Sequence, residues 1–449
     1  MVMASLVFYS WGEKWIVLVL LTSTIADYYC AQAIESGYRK IGLALSLVVN
    51  LSLLGFFKYF NFAFENFREL LDLTGISNTA FQNVPHIALP IGISFYTFQT
   101  LSYTIDIYRG KIKANRNFVD YATFVTMFPQ LIAGPIVRYA DIHNQLRNRD
   151  ISINKFALGI ERFIIGLAKK MIIANTFATV ADQVFSHTPS DLSSAILWFG
   201  MLAYVIQLYY DFSGYSDMAI GMGWMLGFDF PENFNYPYIA KSVKEVWKRW
   251  HMTLSTWFKD YLYISLGGNR VAKTSRIYLN LIIVFVATGL WHGASWNFLL
   301  WGLSHGFFIM IERLGFMRML EKSWTPVQHF YLLFVWITTF VLFRSPDLKY
   351  ALAYYSQMFS FDDGNVDRVN YLSFFIFNTE TVMLLIVAIV FAMPAYPFVA
   401  KKLHTFLKPA SLLENGFLLL KYSFLIVLFI VSVSYIAAGS YNPFIYFRF

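Results

Sequence analysis

Cysteine is all but missing from this chain: Cys30 is the single one among 449 residues. That excludes an internal disulfide and any cysteine metal cluster. Charge is scarce as well, with 14% of residues Asp, Glu, Lys or Arg where an average soluble protein carries roughly 25%. The eight histidines include no pair four apart and no acidic neighbours at metal-ligand spacing, so no metal site is expected. Gly267-Gly268-Asn269-Arg270 is glycine-rich but lacks the Lys-Ser/Thr ending of a phosphate-binding loop. The first residues do not read as a cleavable leader, and no repeats, low-complexity tracts or linker-like stretches divide the chain.

Apolar and aromatic side chains are plentiful instead: 57% of residues are hydrophobic, with 46 Phe, 29 Tyr and 12 Trp. Runs such as Trp15–Ile25, Ile41–Phe57, Ile277–Leu290, Phe330–Phe343, Val382–Met393 and Phe424–Ile436 belong to stretches approaching the ~20 residues a spanning helix needs. The expectation is an all-α polytopic membrane protein of roughly ten membrane elements, some re-entrant or interfacial, with residues 1–449 forming one membrane domain. Net charge is +8, with basic clusters at Arg109–Arg116, Arg138–Lys155, Lys241–Arg249, Arg270–Arg276, Arg313–Lys322 and Lys401–Lys408. Acid predominates at Glu65–Asp72, Asp182–Asp191 and Asp362–Asp367. Positive-inside bias places the basic set in the cytoplasm and the acidic set outside. The bilayer accounts for this charge, and no nucleic-acid partner is implied.

In chain order, apolar segments are expected near 15–33 and 41–62. Tyr9-Ser10-Trp11-Gly12 reads as a turn after a first helix that has scarcely begun, so an incomplete N-terminal helix is expected. Leu89–Tyr96 starts with a Pro/Gly break, and Phe118–Ile136 lies between basic loops as a re-entrant element does. Helices follow at Ile153–Val184, with Lys169-Lys170 at mid-length, and at Ala195–Leu226, which carries Asp211, Ser213 and Asp217. Phe228–Tyr238, with Pro231 and Pro237, reads as a polar cytoplasmic loop. Val243–Tyr263 is too charged to span and fits an interfacial segment. Further helices lie near 277–315, in two pieces, then 327–345, 374–398 and 417–439.

Two histidines stand out. His292, in Gly289-Leu290-Trp291-His292-Gly293-Ala294, sits in a strongly apolar region, where an ionisable group is costly and by default functional. His251 follows Trp247-Lys248-Arg249-Trp250, and alone it fits a snorkelling interfacial helix equally well. His305 is the best of the remainder. Asp211 and Asp217 are six apart and share no helix face closely, so each needs its own basic or hydroxyl partner.

These phrases together resemble the membrane-bound O-acyltransferase family, in the branch that contains the alginate O-acetyltransferase membrane subunit. The resemblance runs through Leu89–Phe98, Phe128–Pro135, Tyr210–Gly221, Glu232–Tyr238 and both histidine motifs, in order from about Phe56 to Leu303. It implies acyl transfer in a tunnel buried between the leaflets, with His292 and His251 at the family's two catalytic positions. The expected donor-binding residues are Trp247, Arg249, Asn269, Arg270, Trp291 and Asn297, with Asp211, Ser213 and Asp217 as structural polar groups nearby.

The implied donor is acetyl-CoA, approaching Lys241–Arg249 and Arg270 from the cytoplasm. His292 is then a general base or brief acyl carrier, while His251 orients the donor or stabilises an oxyanion. The implied setting is a bacterial inner membrane. The implied acceptor is an exported glycan reached through an extracytoplasmic acyltransferase partner. A D-alanyl transferase for teichoic acid, a transporter or channel using Asp211 and Asp217 as an ion path, and a silent scaffold are the competing readings.

Overall fold

Apolar runs of this length satisfy their backbone groups in lipid by closing every N–H onto a carbonyl of the same helix. The computed structural model describes residues 1–75, 84–406 and 412–439, side chains at 403–406 excepted, and these described residues form helices and connecting turns with no strand. Seven helical stretches among them are long and apolar enough to cross a membrane, or eight if a pair bent by 63° counts as one span. The roughly ten membrane elements expected from sequence also counted pieces that enter without crossing. The end of the basic Lys401–Lys408 cluster lies outside the described residues.

Helix α1 (Val2–Glu13) passes through a tight turn at Lys14–Ile16 into α2 (Val17–Glu35). The turn expected at Tyr9–Gly12 is therefore helical, and the break comes at Lys14, whose φ is 52°. The buried Tyr9 hydroxyl donates to the Ile91 carbonyl at 2.7 Å, a tertiary contact that holds the turn-prone residues in the helix. Helix α3 (Arg39–Leu54) continues through a π-turn, Gly55–Tyr59, into α4 (Phe60–Leu73), so this arm extends eleven residues beyond the expected end at 62. Helix α5 (Ile93–Tyr108) starts at Gly92, whose φ is +76°. A Cβ there would also sit 2.7 Å from the Leu131 carbonyl, so glycine is required on two counts.

The stretch expected to be re-entrant divides into α6 (Phe118–Thr126) and α7 (Phe128–Leu131), with α8 (Tyr139–Ile142) after it. Next come α9 (Ile153–Ala168), a π-turn at Lys169–Ala174, α10 (Asn175–Phe185) and the long α11 (Ser194–Met225). The segment leading to the histidines holds α12 (Val243–Val246), α13 (Met252–Trp257) and a π-turn at Phe258–Tyr263. Helices α14 (Thr274–His292) and α15 (Trp296–Ile311) are the two pieces expected over 277–315. The chain closes with α16 (Met317–Lys322), α17 (Thr325–Arg344), α18 (Leu348–Met358), the bent pair α19 (Val366–Ile376) and α20 (Thr379–Phe391), then α21 (Ala395–Phe406) and α22 (Leu412–Ala437).

Phe228–Tyr238 is not a polar loop. Phe228, Phe230, Asn233 and Pro237 are buried, because the stretch folds under α11 and against the segment that carries His251.

Helices α9 and α11 pack closely because small residues face each other. Gly159 opposes Gly221 and Gly166 opposes Gly214: a Cβ at Gly159 would meet the Gly221 carbonyl at 2.6 Å, and one at Gly166 the Gly214 carbonyl at 2.5 Å. This small-residue spacing is how membrane helices gain van der Waals contact. Charges lock the same seam, Lys170 to Asp211 at 2.6 Å and Lys169 to Asp217 at 2.6 Å, with Arg162 on Asp217 at 2.9 Å.

Gly166→Val should thus lower stability by about 1–3 kcal/mol through overpacking. Gly416→Ala, where a Cβ meets nothing within 4 Å, should be neutral. Thermal midpoints from fluorescence-detected size exclusion compare the two, and equal midpoints would refute the close-packed seam.

Candidate active site

The His251 segment is pinned at its start by a carboxylate. Glu312 accepts the backbone N–H groups of Val243 at 2.6 Å and Lys244 at 3.0 Å, an anion at the first turn of a helix. The chain then bends, and His251 adopts φ 43°, ψ 54°, a left-handed conformation uncommon outside glycine. Such strain persists only where the surroundings over-determine it, and here Asn233 supplies the surroundings. Its carbonyl accepts Met252 N–H at 2.9 Å. Its side-chain oxygen accepts Thr253 N–H at 3.3 Å and the Thr253 hydroxyl at 2.8 Å.

That arrangement fixes the histidine tautomer. Asn233 Nδ2 donates to Ser216 at 3.1 Å, so Oδ1 is the atom that faces Thr253 and, at 3.1 Å, His251 Nδ1. Oδ1 can only accept, so Nδ1 carries the proton and Nε2 presents a lone pair. Nε2 has no hydrogen-bond partner among the described residues. The ring is fully buried against Phe95, Phe212 and Trp291. Burial pushes its pKa down to about 3, and it stays neutral.

His292 is the last residue of α14, where Gly293 breaks the helix. A Cβ at Gly293 would lie 2.1 Å from the Phe298 ring, so the break is packed tightly under α15. The His292 imidazole is buried, edge-on to Trp291 and Trp301 at 4.9 Å each and to Phe343 at 5.3 Å. Its Nδ1 has no partner among the described residues. Trp291 touches both histidine rings, at 5.7 Å from His251 and 4.9 Å from His292, so residues 41 positions apart share one aromatic wall.

A small cavity is bounded by this wall, and a larger one lies along the preceding turns of α14. The larger, about 720 Å³, runs along one face of α14 through Leu281, Val284, Phe285 and Thr288, and Thr288 is one turn before His292. Lys244, Lys248, Lys259, Arg313 and Arg318 line it on the side of the basic loops. The smaller, about 60 Å³, is bounded by Trp291 and His292 together with Lys58, Gly92, Ser94 and Ile132. An unprotonated imidazole nitrogen beside such space can take a proton from a hydroxyl or attack an acyl carbon.

The remaining sequence candidates fall into three groups. Trp247 and Asn269 line the large cavity. Trp247 packs on His305 at 5.4 Å, and Asn269 accepts the Tyr263 hydroxyl at 2.7 Å and Arg313 at 3.0 Å. Arg249 is held by Glu245 at 2.9 Å and the Asn235 carbonyl at 3.2 Å. Arg270 is exposed, and neither arginine is among the residues lining the cavity. Asn297 is spent on the Ser345 carbonyl at 3.0 Å. Asp211 and Asp217 face α9 and its π-turn through their ion pairs, while Phe212 between them touches His251 at 4.7 Å. Ser213 is buried on the same helix, its hydroxyl without a partner among the described residues.

Two site residues escaped the sequence reading. Asn233 stood in a matched phrase but looked like loop polarity. Lys58 was passed over although it is a lone cation in an apolar run, the signal that singled out His292.

The tautomer assignment is open to direct measurement. In ¹⁵N-histidine-labelled protein, the wild type should show a resonance for a neutral ring protonated at Nδ1 that shifts in Asn233→Leu and stays in His305→Gln. Protonation of His251 at Nε2 in the wild type would overturn the assignment.

Comparison with known proteins gives this geometry a family. The profile of the membrane-bound O-acyltransferase family matches residues 16–357. The chain is 39% identical to the "Probable alginate O-acetylase AlgI" of Azotobacter vinelandii, over 99% of this chain and 93% of that protein. It is 39% identical to the "Peptidoglycan O-acetyltransferase" of Helicobacter pylori, over 78% of this chain and 72% of that protein. A likeness to the "Teichoic acid D-alanyltransferase" of Bacillus subtilis is weaker, 27% over 56% of this chain and 65% of that protein. With a matched profile spanning most of its length and two buried histidines on one aromatic wall, the chain belongs to the membrane-bound O-acyltransferase family, a multi-pass membrane enzyme that transfers acyl groups.

Proposed function

We propose that this enzyme takes an acetyl group from acetyl-CoA on the cytoplasmic side of a bacterial inner membrane. It passes the group toward an exported polysaccharide or cell-wall glycan through an extracytoplasmic acyltransferase partner. The single observation that carries the donor half is the large cavity. Five cations at its mouth suit the phosphates of a coenzyme thioester, and its apolar α14 wall leads toward His292. The acceptor half follows the names of the relatives. The O-acetylase likeness covers 99% of the chain and the D-alanyltransferase likeness 56%, which favours acetyl over D-alanyl transfer.

His292 acts as the general base. An acceptor hydroxyl oxygen attacks the thioester carbonyl carbon while its proton passes to His292. The C–S bond then breaks, and the imidazolium returns that proton to the leaving thiolate. His251 has Nδ1 committed to Asn233, so Nε2 accepts. It orients the donor by accepting a hydrogen bond, such as one from a pantetheine amide, and the oxyanion role expected from the resemblance does not suit that tautomer.

Purified enzyme in nanodiscs with radiolabelled acetyl-CoA and a candidate partner tests the reading. His292→Ala should lose at least about 10²-fold in turnover, within the range of general-base catalysis, and keep its thermal midpoint. Acetyl transfer independent of His292 would remove the catalytic assignment. Strict dependence on a D-alanyl carrier protein would replace the donor.

Reversing charge at the cavity mouth, Lys248→Glu with Arg313→Glu, should raise the KM for acetyl-CoA about tenfold, a penalty of about 1.4 kcal/mol, with little change in kcat. The effect should shrink as salt screens it. An unchanged KM at low salt would exclude this mouth as the donor entrance.

A further inference from the structure

Lys58 is a buried cation inside a membrane-spanning stretch, 8% exposed, and the mechanism above gives it no task. It sits in the π-turn Gly55–Tyr59, an irregularity that recurs at functional sites. Its Nζ donates to the Trp291 carbonyl and, at 3.0 Å, to the Ser94 hydroxyl, and lies 5.8 Å from the centre of the Trp291 ring. These are its two hydrogen-bond partners among the described residues, and an ammonium has three N–H donors.

One account is purely structural: Lys58 satisfies a carbonyl at the C-terminal end of α14, where cations are favoured. The neighbouring Tyr59 already does this kind of work by donating to the Leu290 carbonyl at 2.7 Å. Capping therefore does not by itself require a charge, which a phenol avoids at lower desolvation cost. What distinguishes Lys58 is that it lines the small cavity together with His292. In that cavity the polar side chains are Lys58, Ser94 and His292, and the rest of the wall is apolar apart from backbone and the Trp291 indole. The indole N–H is turned to the Ser94 carbonyl at 3.3 Å.

We propose that Lys58 is a further catalytic residue: its third N–H faces the small cavity and stabilises the oxyanion that forms on the acyl carbonyl as the acceptor hydroxyl attacks. The inference rests on the acyl-transfer reading with His292 as base. When the new C–O bond forms, the carbonyl π electrons move onto oxygen and the hydroxyl proton moves to His292. The negative charge then lies between a neutral backbone and one ammonium. When the C–S bond breaks, the carbonyl re-forms and the charge leaves on sulfur, which His292 protonates, so Lys58 gains and loses no proton over the cycle. His251 does not compete for this role, since its bare nitrogen is an acceptor and the ring is not among the residues lining the small cavity.

The test compares Lys58→Gln, Lys58→Ala and wild type in nanodiscs with radiolabelled acetyl-CoA, an acceptor and a separate equilibrium measurement of donor binding. Lys58→Gln can keep a neutral hydrogen bond to the Trp291 carbonyl. It should fold and bind acetyl-CoA within about threefold of wild type while losing on the order of 10²–10³ in kcat, the loss seen when one oxyanion donor is removed. Lys58→Ala should be as slow, and millimolar methylammonium, but not methanol, should restore part of its turnover.

Wild-type kcat in Lys58→Gln overturns the proposal. So does a Lys58→Ala defect that methylammonium does not relieve while donor binding or the thermal midpoint falls in parallel, since that is the structural role alone. Failure of the acyl-transfer reading itself looks different: wild-type enzyme would then transfer no label whatever stands at position 58.

Discussion

The site depends on one amide oxygen. Oδ1 of Asn233 gathers two donors from Thr253 and one from His251, away from water, where each unmet donor would cost on the order of 1–3 kcal/mol. Satisfying all three is what holds His251 in a left-handed conformation and sets which of its nitrogens is bare. The Phe228–Tyr238 stretch is buried so that this oxygen can reach the bend, and Glu312 anchors the same segment from the far side of the cavity mouth. A polar clamp of this kind is insensitive to lipid composition, because nothing in it faces lipid.

Regular and irregular backbone divide the molecule. The α9–α11 seam is built from facing glycines on α-helix, and the lysines that cross-link it come from the π-turn Lys169–Ala174. Several other backbone breaks lie at the cavities or beside the two histidines: the π-turn that carries Lys58, the left-handed residues Gly92 and His251, the π-turn at Phe258–Tyr263 and the stop at Gly293. In a bilayer, non-helical backbone is tolerated only where protein or a water-filled space covers it. The breaks and the cavities are then two views of one constraint, since each break frees backbone groups and side chains that a continuous helix would have turned toward lipid.

Much of this was legible in the sequence, for reasons that differ residue by residue. Helix positions followed from apolar runs, and the partners of Asp211 and Asp217 from the cost of a bare buried charge, met here by the Lys169-Lys170 pair that the sequence placed mid-helix. His292 was visible because an imidazole in an apolar run needs a reason. Lys58 met the same criterion and was missed, since a single Lys beside Phe56, Phe57, Tyr59 and Phe60 reads as a snorkelling end when the helix is thought to stop at 62. The actual stop at Leu73 puts it inside the bundle. The turn residues of Tyr9–Gly12 and the Asn/Pro content of Phe228–Tyr238 carried true local preferences that tertiary contacts overrode. Which individual cations of the Lys241–Arg249 stretch face the cavity was not readable, because Arg249 and Lys248 are neighbours in sequence and only the fold turns one to Glu245 and the other to the cavity.

The two cavities also bear on what can pass between them. A space of about 720 Å³ with a cationic mouth accepts a large, multiply charged carrier, whereas one of about 60 Å³ does not. Trp291 and His292 bound the smaller one, one turn beyond Thr288 of the larger, with Trp301, Phe343 and Phe95 packed behind them. Interiors packed at this density respond to a single extra methylene, so a wall of edge-on rings is sensitive to the size of a group placed against it. The proposed coenzyme donor fits this division, its phosphates at the cations of the larger cavity and its acyl group toward the wall. In the proposed reaction the charge that cannot enter the membrane never has to, since the transferred group is neutral before and after, and the proposed role of Lys58 places its one charged moment beside that side chain.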